Sequence, residues 1–125
     1  MQSILLISLG ALIGANLRYG VAQYTARVVP SGFPYGTFII NLSASFVIGF
    51  FLIWSTERVL VDPRWRTFVA IGFCGSYSTY SSYAFETLAL FEKGQWAAAA
   101  ANILCTNVLC FLAVVLGAAL ARGIR

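Results

Sequence analysis

Residues 72–86 read GFCGSYSTYSSYAFE, and they gather most of the groups in this chain that can do chemistry. Ser78, Thr79, Ser81 and Ser82 supply hydroxyls, Tyr77, Tyr80 and Tyr83 recur at intervals of three, Gly72, Gly75 and Ser76 come before them, and Glu86 stands one further step of three along. Two other segments carry similar groups. YGTFIINLSASFVIGF holds Asn41 with Ser43 and Ser45 behind it, and Asn102, Thr106 and Cys110 fall at i, i+4 and i+8 on one helix face with Asn107 beside them. An Asn amide N–H can donate to a passing anion, and backbone released from a helix must find partners in protein, ion or water. Each feature also has a plainer reading. A lone Asn in an apolar helix is often interhelical glue, a tyrosine row is often packing, a polar stripe is as readily a buried helix contact as the wall of a wet path, and Glu86 either caps a vestibule or is simply solvated.

Enzymatic chemistry has few candidates, and the expectation is that the chain is not an enzyme. It has no histidine, and Cys74, Cys105 and Cys110 all fall inside apolar runs, so neither a transition-metal site nor a Ser/His/Asp set is expected. No phosphate-binding loop is present in the sequence. The net charge of +4 comes from residues near the breaks between apolar runs, which argues for loops and ends rather than a nucleic-acid groove.

The elements that must position these groups are membrane spans. Of 125 residues, 60% are hydrophobic and 10% charged, and such a composition leaves too little polar surface for a water-soluble domain. The mean hydropathy of +0.84 agrees. A helix needs roughly 20 apolar residues to cross a bilayer, and four runs qualify: Ser3 to about Ala26, Tyr35–Ser55, Phe68–Phe91 and Trp96–Ala121. The connectors RVVPSGFP, TERVLVDPRWR and EKGQ read as turns from their Gly and Pro. The expectation is a single all-α transmembrane domain over residues 1–125, since the runs lack the period-two alternation of a barrel. The first run has no basic leader and is interrupted by Asn16 and Arg18, so it reads as a retained span rather than a cleaved signal. Within it Gly10 and Gly14, four apart, mark a close-packing face, and Arg18 either snorkels to the interface or faces a wet vestibule. The third run, with its glycines and hydroxyls, is the one expected to break within the membrane.

GFCGSYSTYSSYAFE resembles the third-helix signature of the Fluc fluoride channels, also called the CrcB family, usually GFCGG followed by TTFSTFS and a Glu. GALIGANLRY is similar to that family's Gly-rich first helix, GTFIINLSASFVIG to its second, and DPRWR and a late LG agree in order and spacing, so the likeness covers nearly the whole chain. The resemblance implies a passive channel that exports fluoride, assembled as an antiparallel, dual-topology homodimer in a prokaryotic plasma membrane, with two ion paths along the subunit interface. It implies a structural sodium ion at the dimer centre, held by the backbone carbonyls that correspond to Gly75 and Ser78. For the fluoride path it implies Asn41, Tyr80, Tyr83, the stripe Asn102, Thr106 and Cys110, and Arg18.

The sequence departs from the family pattern where Tyr80 and Tyr83 replace two Phe, where Ala44 replaces a Gly, and where Ser78 replaces a Thr. Each phenol keeps a ring edge and adds a hydroxyl that donates to the ion, pairs with a serine or narrows the path. With both termini on one side, that side collects Arg58, Arg64, Arg66, Arg122 and Arg125, against Arg27, Lys93 and Arg18 on the other. This modest bias leaves open a heterodimer with an oppositely oriented homologue. A small proton-coupled multidrug exporter is the alternative. It requires a carboxylate within the membrane, and Glu86 is the only acid inside a span.

Overall fold

The structure is a computed structural model that describes residues 1–124; Arg125, counted above on the terminal side, lies outside the described residues. It is all-helical, and no strand occurs among the described residues. Helix α1 spans Gln2–Val28, α2 Tyr35–Ile53 with a π-helical extension Trp54–Arg58, α3 Pro63–Arg66, α4 Gly75–Tyr77, α5 Tyr80–Glu92 and α6 Trp96–Gly123. Among the described residues three helices are long and apolar enough to cross a membrane: α1 with 27 residues, α2 with its extension at 24, and α6 with 28. At 1.5 Å per residue each is about 36–42 Å long, more than the roughly 30 Å hydrocarbon layer.

The third predicted span is a series of pieces. A wide π-helical segment, Thr67–Cys74, joins α3 to α4, the chain extends through Ser78 and Thr79, and α5 then begins. The connector before it differs from expectation, because TERVLVDPRWR is mostly helical rather than a turn. Asp62 caps α3 by accepting from the Arg64 N–H at 2.8 Å, and Pro63 occupies the first turn, where its missing N–H is no loss. Only Val59–Asp62 is left outside helices in that connector. Farther on, Gly94 takes a φ of 71° to turn the chain between α5 and α6.

Packing between helices relies on backbone approach rather than large side chains. Gly10 and Gly14 of α1 face the π-helical segment and α4: a Cβ on Gly10 would lie 2.8 Å from the Phe73 nitrogen, and one on Gly14 would collide with Ser76 Oγ and the Phe73 carbonyl. Gly72 answers from the other side, where a Cβ would come within 2.8 Å of the Ile7 carbonyl. The most extensive contact joins α2 to α6, and there Gly49 sits on Val114 while Gly117 sits on Phe46 and Phe50. In lipid, burying one more Leu gains little, so contact comes from small residues that let helices touch. A small core of Ile40, Ala44 and Tyr77, backed by Val21 and Ala22, ties α1, α2 and α4 together. The outer faces remain apolar, with Leu5, Leu9, Leu12, Leu104, Phe111 and Leu116 all exposed.

The break is fixed by one side chain. Asn41 on α2 accepts from the Thr79 N–H through Oδ1 at 2.8 Å and donates to the Thr79 carbonyl through Nδ2 at 3.1 Å. An amide side chain thereby supplies both partners that the extended Thr79 peptide groups have lost by leaving the helix. Thr79 then starts α5 as its N-cap, its Oγ1 accepting from the Ser82 N–H at 3.2 Å.

Two outcomes are expected from this packing. Gly117→Val should lower stability by about 1–3 kcal/mol through overpacking, whereas Gly123→Ala, with no neighbour near its would-be Cβ, should not. Equal thermal midpoints in detergent for the two variants would contradict the close α2–α6 approach. Asn41→Ala should leave the Thr79 N–H and carbonyl unpaired, at about 1–3 kcal/mol for each group, while Ser45→Ala, whose hydroxyl only returns to the Asn41 carbonyl at 2.7 Å, should unfold near wild type.

Candidate functional site

Beside the break, Asn41, Ser45, Ser78, Tyr80, Tyr83, Thr106, Asn107 and Cys110 line a groove of about 230 Å³. Three elements build it. Helix α2 presents Asn41 and, one turn on, Ser45; the break and the first turn of α5 present Ser78, Tyr80 and Tyr83; and α6 presents Thr106, Asn107 and Cys110. Five of the residues singled out in the sequence for an ion path meet here: Asn41, Tyr80, Tyr83, Thr106 and Cys110. Asn41 has one amide N–H left after serving Thr79, since Nδ2 carries two hydrogens and one is used.

The two tyrosines differ in setting. Their ring centroids lie 5.3 Å apart at 53°, yet Tyr83 is buried at 6% exposure while Tyr80 stands open at 76%. Tyr83 Oη accepts from Asn107 Nδ2 at 3.1 Å. Tyr77, which continues the row, is not in the groove: its ring stacks on Phe73 with centroids 5.7 Å apart, and its hydroxyl pairs with Ser43 Oγ at 2.9 Å. It belongs to the core.

Asn102 and Arg18 lie apart from the groove. Asn102 is 1% exposed and joins a buried chain in which Thr106 Oγ1 donates to its Oδ1 at 3.3 Å. Its Nδ2 donates to Thr87 Oγ1 at 2.9 Å, and that hydroxyl donates to the Tyr83 carbonyl at 2.7 Å. The chain fastens α6 to α5 directly behind the groove. Arg18 is half-buried on α1 and makes no hydrogen bond or ion pair among the described residues.

A second cleft, of about 220 Å³, lies between the ends of α1 and α2 and is closed on one side by Glu86. Glu86 Oε1 accepts from Thr37 Oγ1 at 2.7 Å, and Oε2 is buried without a partner among the described residues. Of the two sequence readings, this carboxylate is closer to a vestibule wall than to a solvated surface group. Thr37 and Thr87 carry no signal in the sequence that would mark them as site residues. Their hydroxyls face other helices, and a single Thr or Ser in a span gives no spacing signal of its partner.

The break also sets the donors available to a cation. The Thr79 N–H, which in a continuous helix would pair with the Gly75 carbonyl, points instead to Asn41, and the Ser82 N–H, which would pair with Ser78, points to Thr79 Oγ1. Among the described residues no backbone N–H donates to the carbonyl of Gly75 or Ser78 across the break. Two neutral oxygens without donors, next to an extended turn, are a donor set that fits a monovalent hard cation.

Residues 5–118 match the family model described as CrcB-like protein, Camphor Resistance (CrcB). The chain is 48% identical over 124 residues to a protein of Koribacter versatilis named fluoride-specific ion channel FluC, covering 99% of this chain and 98% of that one. It is 44% identical over 122 residues to a protein of the same name from Sulfurihydrogenibium sp., covering 98% of each. A third, from Paramagnetospirillum magneticum, is 40% identical over 119 residues, covering 94% of this chain and 93% of that relative. With three apolar helices of spanning length, the chain is a multi-pass membrane protein. The family-model match over residues 5–118 and the likeness to these relatives over nearly their full length place the chain in the CrcB family.

Proposed function

We propose that this chain is a fluoride-selective passive channel that lets fluoride leave the cytoplasm, acting in a prokaryotic plasma membrane. The observation that carries the reading is the groove where the free Asn41 N–H and the tyrosine pair converge beside a helix break, with Thr106 in its wall, in a chain whose relatives are named fluoride-specific ion channels. Fluoride is small and strongly hydrated, so a selective path must replace many hydrogen bonds with closely placed donors. Hydroxyls, an amide N–H and ring edges do this in a narrow space, whereas a wide basic tunnel would favour the more easily dehydrated chloride. Cys110 continues the wall of the path. Asn102 holds Thr106 from behind, and Arg18 contributes a positive field that attracts anions.

Transport needs no coupled energy source. HF crosses bilayers as a neutral molecule and ionises in the more neutral cytoplasm, and the negative-inside potential then drives the stranded anion out through a passive path.

In this reading the working unit is an antiparallel homodimer of four-span, single-domain subunits, the pieces from Pro63 to Glu92 forming the third crossing. Exposure of Tyr80, a phenol with no intramolecular partner among the described residues, supports a covering second subunit, because an uncovered phenol is costly in the hydrocarbon layer. A sodium ion would be held by the Gly75 and Ser78 carbonyls, where it would give oxygens that lack donors a partner and tie two breaks together. The exporter alternative centres on Glu86, but that carboxylate is bonded to Thr37 and the relatives' names do not favour it.

Liposomes loaded with fluoride or chloride, with a potassium ionophore to balance charge, test the proposal. Fast fluoride release with little chloride release is expected from the wild-type protein, and a folded protein that releases neither sinks it. A separate experiment addresses the cation. Replacing all sodium with a large organic cation should slow fluoride release and weaken the dimer, and unchanged release and assembly would remove sodium from the proposal.

A further inference from the structure

We infer that the Tyr83 hydroxyl is a direct hydrogen-bond donor to the anion in the groove, and that Asn107 is the positioning residue that turns it there. The inference rests on the channel reading above and identifies one donor within it.

The Asn107 amide has one possible direction. Nδ2 of Asn107 lies 2.7 Å from the carbonyl of Ile103, one turn back on α6, and 3.1 Å from Tyr83 Oη. A backbone carbonyl only accepts, so the atom facing it must be the amide nitrogen and not the amide oxygen. That fixes the identity of the group at Tyr83. The second N–H of the same nitrogen points at the phenol, and Tyr83 Oη is the acceptor in that bond. A phenol has one proton of its own, which therefore lies elsewhere. No other hydrogen bond engages this hydroxyl among the described residues, and Tyr83 lines the groove together with Asn41, Ser45 and Thr106.

Burial makes the proton consequential. Tyr83 is 6% exposed and its hydroxyl is held by Asn107, so the ring has little freedom to seek a partner at the surface. A buried donor without an acceptor is disfavoured, and an anion in the groove relieves it. The bond from Asn107 also polarises the phenol in the productive sense, because accepting a hydrogen bond at the oxygen strengthens the donation of its own proton. Small anions gain most from such a donor, since it reaches closer than a ring edge does. Tyr80 has no equivalent holder among the described residues: its ring is open and no side chain there fixes its hydroxyl. The two tyrosines are accordingly unequal, with Tyr83 the oriented donor.

The test is fluoride and chloride release from liposomes by wild type, Tyr83→Phe, Asn107→Leu and the double variant, each checked for dimer assembly. Removing the hydroxyl while keeping the ring should slow fluoride release roughly tenfold or more, the size of one hydrogen bond to a charged group, with chloride release unchanged so that selectivity falls. Asn107→Leu should reproduce much of that loss in the presence of Tyr83 and add nothing once Y83F is in place. A merely structural role for Asn107 would instead slow both anions alike and act in both backgrounds. Asn107→Leu leaves the tyrosine ring intact and reads the same hydroxyl should Y83F fail to assemble. If wild type conducts fluoride and Y83F matches it in rate and selectivity, the donor role is overturned while the channel reading stands. If wild type releases no fluoride, the channel reading itself falls, and this inference with it.

Discussion

The pairing of Asn41 with the backbone of Thr79 is the constraint on which the rest of the site depends. In lipid there is no water to take up a peptide group that leaves a helix, so an extended residue within an apolar chain needs a side chain that both donates and accepts. An amide does both in the geometry of a peptide, and Asn41 meets Thr79 with bonds of 2.8 and 3.1 Å. Everything nearby follows from that substitution of partners. The Gly75 carbonyl loses the N–H it would have had, Thr79 becomes an N-cap, α5 starts on a new axis, and the tyrosines of its first turn are brought to face α6.

The same economy governs the packing around it. A break is tolerated only if neighbouring helices come close enough to hold it, and the glycines at 10, 14 and 72 bring α1 against the segment before the break while those at 49 and 117 bring α2 against α6. Asn41 and Ser45 ride on α2, and Thr106, Asn107 and Cys110 ride on α6, so the α2–α6 approach sets the width of the groove directly. The bidentate pair of Arg122 with Glu57, both contacts at 3.0 Å, joins the far ends of these two helices. Being half-exposed, it contributes little energy and serves mainly to fix where the ends meet.

Much of this was legible in the sequence, for reasons tied to particular residues. Apolar runs punctuated by Pro and Gly placed the long helices, Gly10 and Gly14 announced a packing face by their spacing, and the third-helix signature named the family that the comparisons establish. The register of the break was harder to read. Gly72, Gly75 and Ser76 suggested flexibility, yet Gly72 lies inside the π-helical segment pressed on α1, and the chain opens only at Ser78 and Thr79, where Asn41 reaches it. The helical state of DPRWR is hidden in the sequence because Pro63 reads as a turn former, while behind the Asp62 cap it makes a helix start. A period-of-four stripe puts Asn102, Thr106 and Cys110 on one face of α6, but spacing along one helix says nothing of what stands opposite. Thr87 stands opposite Asn102 and takes it out of the groove.

The tyrosines show why composition alone leaves an ambiguity that geometry removes. In sequence, Tyr80 and Tyr83 are equivalent additions to a pair of ring edges, and a phenol has three open choices: donate, pair or obstruct. Asn107 breaks that symmetry. Its amide is anchored to its own helix through Ile103, which leaves Tyr83 Oη only the acceptor's part in their contact and frees the phenol proton. A change from Phe to Tyr in a buried apolar setting is ordinarily unfavourable, because the hydroxyl needs a partner. Here the partner is an exposed Asn on the neighbouring helix, its N–H also given to the Ile103 carbonyl, so the phenol on α5 and the amide that accommodates it on α6 form a single unit. Such a unit alters the chemistry of the groove without altering the helices that frame it.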